Sequence, residues 1–374
     1  MSVEFIGYVS AREQSEIISP QGPDVDPAYI ETTAQLHERA GFDRALVAFH
    51  SSAPDSLLIA QHAASVTERL GLLIAHRPGF TAPTLAARQL ATLDHLSRGR
   101  VAVHIITGGN DQELKADGDH LSKAERYART DEYLTLLRSE WTATVPFTFK
   151  GRYYDIEDAF SEVRPFNTET IPIYFGGASE EAITVAGRHA DAYALWGESL
   201  AGARELVDRV IASAARHGRK PRFSISFRPI IGATEQQAWE RAHDIEAQII
   251  ARQKLTLEGS QSGLDTAGTA ITGDDLPGNA GSRRLQALSS QGDRHDSRLW
   301  TGVARLTGGR WNSTSLVGTA EQVAESLLAY YRLGIGTFLI RGFDPLADAE
   351  IYGKELIPLV RESVSKEEAS LSHG

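Results

Sequence analysis

Residues 171–182 read IPIYFGGASEEA. Ile171, Ile173, Tyr174 and Phe175 are residue types that suit a buried, pleated strand. Gly176 and Gly177 end the run, and Ser179 stands where a helix N-cap belongs. The stretch therefore predicts a strand, a tight turn and a helix start. Two readings of the turn remain open on these residues alone. Free amides at a helix start, with the Ser179 hydroxyl, can grip a phosphate, or the turn is only a short connection. Glu180 and Glu181 would repel a phosphate, although acids at a helix start also gain about 0.3–1 kcal/mol from the dipole.

The same strand-then-helix unit recurs along the chain. Apolar runs at 3–9, 44–49, 70–76, 101–107, 171–177, 192–197, 222–232 and 337–342 predict eight strands, with the near-continuous hydrophobicity of parallel strands covered on both faces. Helical patterning falls between them at 28–40, 55–67, 123–142, 179–190, 200–218, 234–257 and 319–333. In TAPTLAARQLATLDHLSRG, Leu90, Leu93 and Leu96 share a stripe and Gly99 is a natural stop. In DAEIYGKELIPLVRESV the periodicity continues past Pro358, whose missing donor must be tolerated. Eight such repeats predict a (β/α)8 TIM barrel, and a doubly wound sheet is the alternative. Residues 1–374 are expected to form one domain. Residues 147–158 (FTFKGRYYDIED) predict a small hairpin turning at Lys150-Gly151, and the tail SKEEASLSHG is expected to fray. Residues 258–316, rich in Gly, Ser, Asp and Arg, read as an insertion before the last strand and a mobile lid.

Composition narrows the function. The chain carries 49 acidic against 38 basic residues, a net charge of −11, which argues against nucleic acid or an anionic membrane as partner. It has no cysteine, so thiolate catalysis and cysteine-held zinc are excluded. The histidines lack paired ligand spacing, and no Gly-x-Ser-x-Gly elbow occurs at a strand end, so neither a metal nor a serine nucleophile is expected. The start MSVEFIGYVS has no basic-then-apolar leader, and no run approaches a membrane span. Cytoplasm is the expected location.

In a barrel, chemistry gathers at the carboxyl ends of the strands. Those positions hold Phe49-His50, Thr107-Gly108-Gly109, Gly176-Gly177-Ala178-Ser179, Trp196, Arg228 and Arg341. His104 stands inside an apolar strand, either as a core histidine satisfied by a carbonyl or as a site residue. Trp196 is either packing or pocket wall. Arg126-Tyr127 lie early on a helix, where most charges are simply solvated.

Taken in order, TAPTLAARQLATLDHLSRGRVAVHIITGGNDQEL, ERYARTDEY, FKGRYY, PIYFGGASEEA, YALWGES, HGRKPRF and LVGTAEQVAE resemble the bacterial luciferase-like flavin-dependent monooxygenases, the alkanesulfonate monooxygenase subgroup in particular. The resemblance runs from about residue 3 to residue 362. It implies a TIM barrel that takes reduced FMN (FMNH2) from a separate NAD(P)H-dependent FMN reductase and uses O2 to oxidise a small organosulfur compound. For an alkanesulfonate this means C–S cleavage to sulfite and an aldehyde. A homo-oligomer, dimer or tetramer, is implied too. By position, Phe49, His50, His104, Glu113, Arg126 and Tyr127 match flavin-contacting residues, and Gly177, Ala178 and Ser179 the phosphate-binding turn. The resemblance thus favours the cradle reading of 171–182.

The substrate pocket departs from that pattern. The subgroup's arginine and histidine on strand seven are here Ser226 and Arg228, its arginine before a Gly-Gly pair is Thr307, its tyrosine after strand eight is Phe343, and its histidine after strand one is Arg12. Trp196 alone is retained. Either the basic groups are redistributed, with Arg12, Arg228 and Arg305 or Arg310 meeting an anion, or the substrate is neutral, such as a sulfone. Trp196, Arg228, His50, Arg12 and Arg310 are the catalytic candidates, with Arg228 as anion anchor unless it pairs with a structural carboxylate. A deazaflavin-dependent oxidoreductase and a non-enzymatic flavin-binding protein are the alternative functions.

Overall fold

The computed structural model describes residues 3–258, 279–310 and 312–372. Eight parallel strands close into a barrel: β1 (Glu4–Val9), β2 (Arg44–Val47), β3 (Gly71–His76), β4 (Val101–Ile105), β5 (Ile173–Gly176), β6 (Ala192–Trp196), β7 (Arg222–Phe227) and β8 (Ile335–Ile340). Each strand neighbours the next in sequence, and β1 pairs with β8 through Glu4–Thr337 to Ile6–Leu339, which closes the ring. The (β/α)8 expectation is borne out, and the doubly wound alternative is not.

Alternation along each strand sorts its side chains. Phe5, Ala45, Leu72, Val103, Ile173, Phe175, Leu195 and Phe338 point outward and are buried beneath the helices in one continuous core. Ile6, Leu73, Ala102, Tyr174 and Ala192 form a smaller cluster inside the barrel, so its lower half is packed solid. Helices start where the sequence supplies caps. Asp26 caps Pro27–Arg39, Ser122 and Glu125 form a capping box on Lys123–Thr142, and Thr319 with Gln322 does the same for Ala320–Tyr331.

Several expectations need correction. The run 222–232 is not one strand: the barrel strand stops at Phe227, and Ile230–Ile231 belongs to a separate sheet with Ser315–Gly318, Leu299–Trp300 and Arg294–His295. Pro229 cannot donate to a ladder and separates the two. The insertion is therefore partly ordered structure. It contains the helix Ala280–Ser290 and packs Trp300 and Val303 against Ile230, Trp239, Ile245 and Val317 in a second core. Residues 259–278 and 311, where the rest of the expected lid falls, lie outside the described residues.

The hairpin forms from Phe147–Lys150 and Asp155–Ala159 and turns over residues 151–154, slightly later than Lys150-Gly151. The C-terminal helix runs on to Ser372 instead of fraying at 365. Just before Pro358 the backbone widens into a π-turn at Tyr352–Leu356. A wider turn relieves the clash of the proline ring with the carbonyl four residues back. A short helix at Asp111–Ala116, capped by Asn110, carries no long hydrophobic pattern and went unread in the sequence.

Candidate functional site

Near the carboxyl ends of the strands the interior residues become small or partly exposed. Tyr8, Leu46, His104, Gly176, Ala194, Trp196, Leu339 and Arg341 all face inward by strand parity and retain accessible surface. Their outward neighbours, Val9, Val47, Val103, Phe175, Leu195 and Ile340, are buried. A sealed barrel would bury both sets, so solvent reaches the inner face of the barrel at this end, its cup. Ala75, Ala194, Ser224 and Ser226 make the inward positions of these strands small.

One wall of the cup is the turn after β5. Gly177 has φ +130, a backbone region L residues rarely adopt. A Cβ there would lie 2.8 Å from the Ala182 Cβ and 3.3 Å from the Tyr127 hydroxyl. Ser179 caps the helix Glu180–His189, its hydroxyl accepting from the Ala182 amide at 3.3 Å. Tyr127 reaches the same spot. Burial raises its phenol pKa, and a hydrogen bond with Ser179 partly offsets this. The Lys123 ammonium lies 6.0 Å from the Tyr127 ring. Of the two acids that argued against an anion here, Glu180 pairs with Arg209. The Glu181 carboxyl is held below its ordinary pKa by its own amide and by the Ser179 hydroxyl. The turn thus already holds a carboxylate on the donors an anion needs.

The wall from β2 to β4 is a connected cluster. Glu113 binds Arg77 Nη2 at 2.6 Å, accepts from the Ser51 amide at 3.2 Å and lies 3.7 Å from His50 Nε2. Arg77 stacks over Phe49 at 4.9 Å, and Phe49 over Phe80 at 6.4 Å. Between these walls the His104 ring faces the cup. Burial pushes its pKa down to about 4, so the imidazole is neutral near pH 7. Its Nδ1 and the Thr107 hydroxyl are buried with no hydrogen-bond partner among the described residues. His104 is therefore not the carbonyl-satisfied core histidine weighed above. Arg126 sits one layer back, buried, bonding the Leu121 carbonyl at 2.6 Å and Asp111 at 2.7 Å.

Above the cup, the insertion closes one side. A Cβ on Gly281 would come within 3.0 Å of the Trp196 indole, and one on Gly109 within 3.2 Å of the Asn279 amide. The start of the helix Ala280–Ser290 thus spans from the glycine turn after β4 to the tryptophan ending β6.

The arginines expected around an anion are not gathered as one set. Arg12 pairs with exposed Asp24 at 2.6 Å. Arg228 is fully buried and already matched: Nη1 meets Glu16 at 2.6 Å, Nη2 donates to the Gly342 carbonyl at 2.7 Å, and the guanidinium lies 3.7 Å over Phe343. This is the structural-carboxylate alternative for Arg228. Burial alone would raise the Glu16 pKa, but Arg228 and Arg341 hold it down at about 2. Arg305 pairs with Glu246 and Asp293. Arg310 follows the Gly308-Gly309 turn beneath the helix Ala280–Ser290, with no ion pair among the described residues.

Sequence reasoning missed Arg77, Lys123, Glu16 and Tyr8. Parity offered a signal for two of them, since Tyr8 and Arg77 fall two residues beyond inward-facing positions. Glu16 lies in a loop without periodicity, and nothing marked it. Among the described residues no cluster of three or more His, Asp or Glu side chains is placed to hold a metal ion, and no helix is long and apolar enough to cross a membrane.

The fold is a (β/α)8 barrel whose fifth strand ends in a glycine-serine turn at a helix start. The luciferase-like monooxygenase family matches this chain over residues 3–337, and the chain belongs to that family. Among solved structures it resembles the riboflavin lyase RcaE, determined with modified FMN and riboflavin, at 18% identity and TM-score 0.77, over 97% of this chain and 92% of that one. It also resembles the EDTA monooxygenase EmoA from Chelativorans sp. BNC1, at 18% identity and TM-score 0.75, over 97% and 94% of the two chains. The likeness extends to an F420-dependent secondary alcohol dehydrogenase, at 17% identity and TM-score 0.65, over 96% and 99%. At these identities the likeness establishes a shared barrel and no more.

Proposed function

We propose that this chain is an FMN-dependent monooxygenase that receives reduced FMN from a separate NAD(P)H-dependent reductase and oxidises a small organosulfur compound, in the first instance an alkanesulfonate. The observation that carries the reading is the solvent-reached strand ends, where one wall has a glycine-serine turn at a helix start and the next has two buried polar atoms, His104 Nδ1 and Thr107 Oγ1, without partners among the described residues. The residues present fit the cofactor: Gly177, Ala178 and Ser179, with Tyr127 and Lys123, would hold the phosphate, and Phe49, His50 and His104 would border the ring. Bound there, reduced FMN supplies the two electrons that let one atom of O2 enter the substrate while the other leaves as water. Cleavage of an alkanesulfonate balances when R–CH2–SO3−, O2 and FMNH2 give R–CHO, HSO3− (sulfite in its monoprotonated form), FMN and water.

The side chains then have defined tasks. The backbone amides and hydroxyls after β5 bind an anion, once the Glu181 carboxylate swings off Ser179. Neutral His104 offers one ring nitrogen as donor or acceptor without bringing a charge. Glu113 and Arg77 fix His50 and Phe49 from behind. Trp196 and the helix start at Gly281 cover part of the mouth and keep bulk water from the reacting atoms.

FMN should quench on titration into the protein. With a generic flavin reductase and NADH, O2 consumption should rise when alkanesulfonates are added, with sulfite released. Hydride exchange with a deazaflavin coenzyme and no oxygen uptake from reduced FMN would instead select the deazaflavin oxidoreductase. Flavin binding without turnover of any sulfonate or sulfone would select the binding protein.

A further inference from the structure

Two arginines reach the rim from neighbouring strands, and only one is matched. Arg228 is saturated by Glu16 and backbone carbonyls. Arg341 directly follows β8 with its side chain inward by parity, one guanidinium face 4.5 Å from the ring of Tyr8. Its Nε is buried with no hydrogen-bond partner, and no carboxylate contacts it among the described residues. Glu16 acts on it only at longer range while in direct contact with Arg228. Among these three groups two guanidiniums therefore share one carboxylate, a net single positive charge, and the Glu16 Oε2 is itself buried without a hydrogen-bond partner among the described residues. His104 does not change this count, being neutral.

The surroundings suit one kind of guest. Strand register sets Trp196, Ser226 and Leu339 side by side as one inward row below Arg341. The Ser226 hydroxyl is buried without a partner among the described residues. The Arg341 amide bonds the Phe227 carbonyl at 3.3 Å, so the two strand ends are held together. A guanidinium nitrogen without a partner thus stands over a row in which an unpartnered hydroxyl lies between an indole and a leucine. Charge-assisted bonds to an oxyanion satisfy the first two, and an apolar body covers the last two.

We infer that Arg341 is the specificity-determining residue of the substrate subsite, and that with Ser226 it selects an organic monoanion, a sulfonate or carboxylate head on an apolar body, while Arg228 serves as a strut. The inference rests on the cup being the substrate site proposed above. It assigns the anion to β8 and leaves the cofactor cradle on β5 unaffected.

The test is calorimetric binding of 1-octanesulfonate, octanoate and 1-octanol to wild type, Arg341→Gln and Arg341→Lys, with and without oxidised FMN. Wild type should bind the two anions at least tenfold tighter than the alcohol. Arg341→Gln should lose that preference, Arg341→Lys should keep part of it, and FMN affinity should be equal in all three. Equal binding of octanesulfonate and octanol by wild type, binding of neither, or a preference surviving in Arg341→Gln would each overturn the inference. The first two outcomes need no variant and do not depend on its folding. Failure of FMN to bind would instead strike the proposed function, and the flavin-free titrations would still decide the role of Arg341.

Discussion

The turn after β5 and the rim formed by β7, β8 and β1 are both polar sites at the mouth of one barrel, built on opposite principles. The β5 turn uses backbone amides, a hydroxyl and a phenol, with Glu180 drawn away by Arg209. It presents dipoles and contains no buried ion pair. The other rim uses ions: Arg228 at 0% exposure, Glu16 against it and Arg341 beside them. A dipole cradle can sit beside solvent at little cost. A buried guanidinium must be matched, and matching it fixes the local structure. The difference teaches that a charge in a cup is not by itself a ligand site, because its partners decide whether it is strut or anchor.

The largest effect should come from breaking the strut. Glu16→Leu leaves the Arg228 guanidinium buried with only carbonyl acceptors, and about 3–5 kcal/mol of stability should be lost in urea unfolding. The double variant Glu16→Leu with Arg228→Met removes both charges and should recover most of that loss. If the single variant costs no more than the double, the pair is not a strut and the contrast with the β5 turn disappears.

Next is the cradle itself. Gly177→Ala forces a side chain into φ +130 and against Ala182. Strain of this kind costs on the order of 1–3 kcal/mol, and relief by shifting the turn should weaken FMN binding at least tenfold, read by fluorescence quenching. The same substitution should leave the octanesulfonate preference alone, since Arg341 lies three strands away around the barrel. Loss of both together would show one site where two walls are argued.

Acid should separate the regions further. His37, His76 and His104 each have a pKa lowered by burial to about 4 from the ordinary 6.5. The unfolded chain takes up these protons first. Their contribution to stability is therefore complete above pH 6.5 and declines towards pH 4, by about 1.4 kcal/mol per pH unit for each histidine. The Glu16 carboxyl, lowered to about 2, loses its contribution only below 4.5. Between pH 6.5 and 4.5 the histidines weaken the fold while the ionic rim stays intact. His104→Asn should flatten the stability slope between pH 7 and 5 by the share of one histidine; an unchanged slope would mean that His104 is not buried neutral.

The barrel was legible because its strands share a buried apolar signature and are followed by helices that open on a capping side chain or, at Pro83, on a proline. The cradle was legible as two possibilities, since Gly176-Gly177 and Ser179 fix a turn and an N-cap, while the partners that favour an anion, Tyr127 and Lys123, come from a helix some fifty residues earlier. The arginines were misjudged for a related reason. Strand parity places Arg228 and Arg341 alike, and the loop residue Glu16 that distinguishes them has no pattern of its own. The break at Pro229 was written in the sequence, but the apolar run 222–232 outweighed it in the reading.

The smallest effect is also the most specific to the dipole principle. Ser179 has two roles in the folded chain, capping the helix Glu180–His189 and meeting Tyr127 and Glu181. Ser179→Ala should cost about 1 kcal/mol in stability, the usual loss of an N-cap, and weaken FMN several-fold. Ser179→Gly should restore most of the stability, because glycine is nearly as good a cap, but none of the affinity, because it carries no hydroxyl. Cap and ligand contact are thereby pulled apart at one residue. Were Ser179→Gly to recover the affinity along with the stability, the amides alone would be the cradle and the hydroxyl merely a cap.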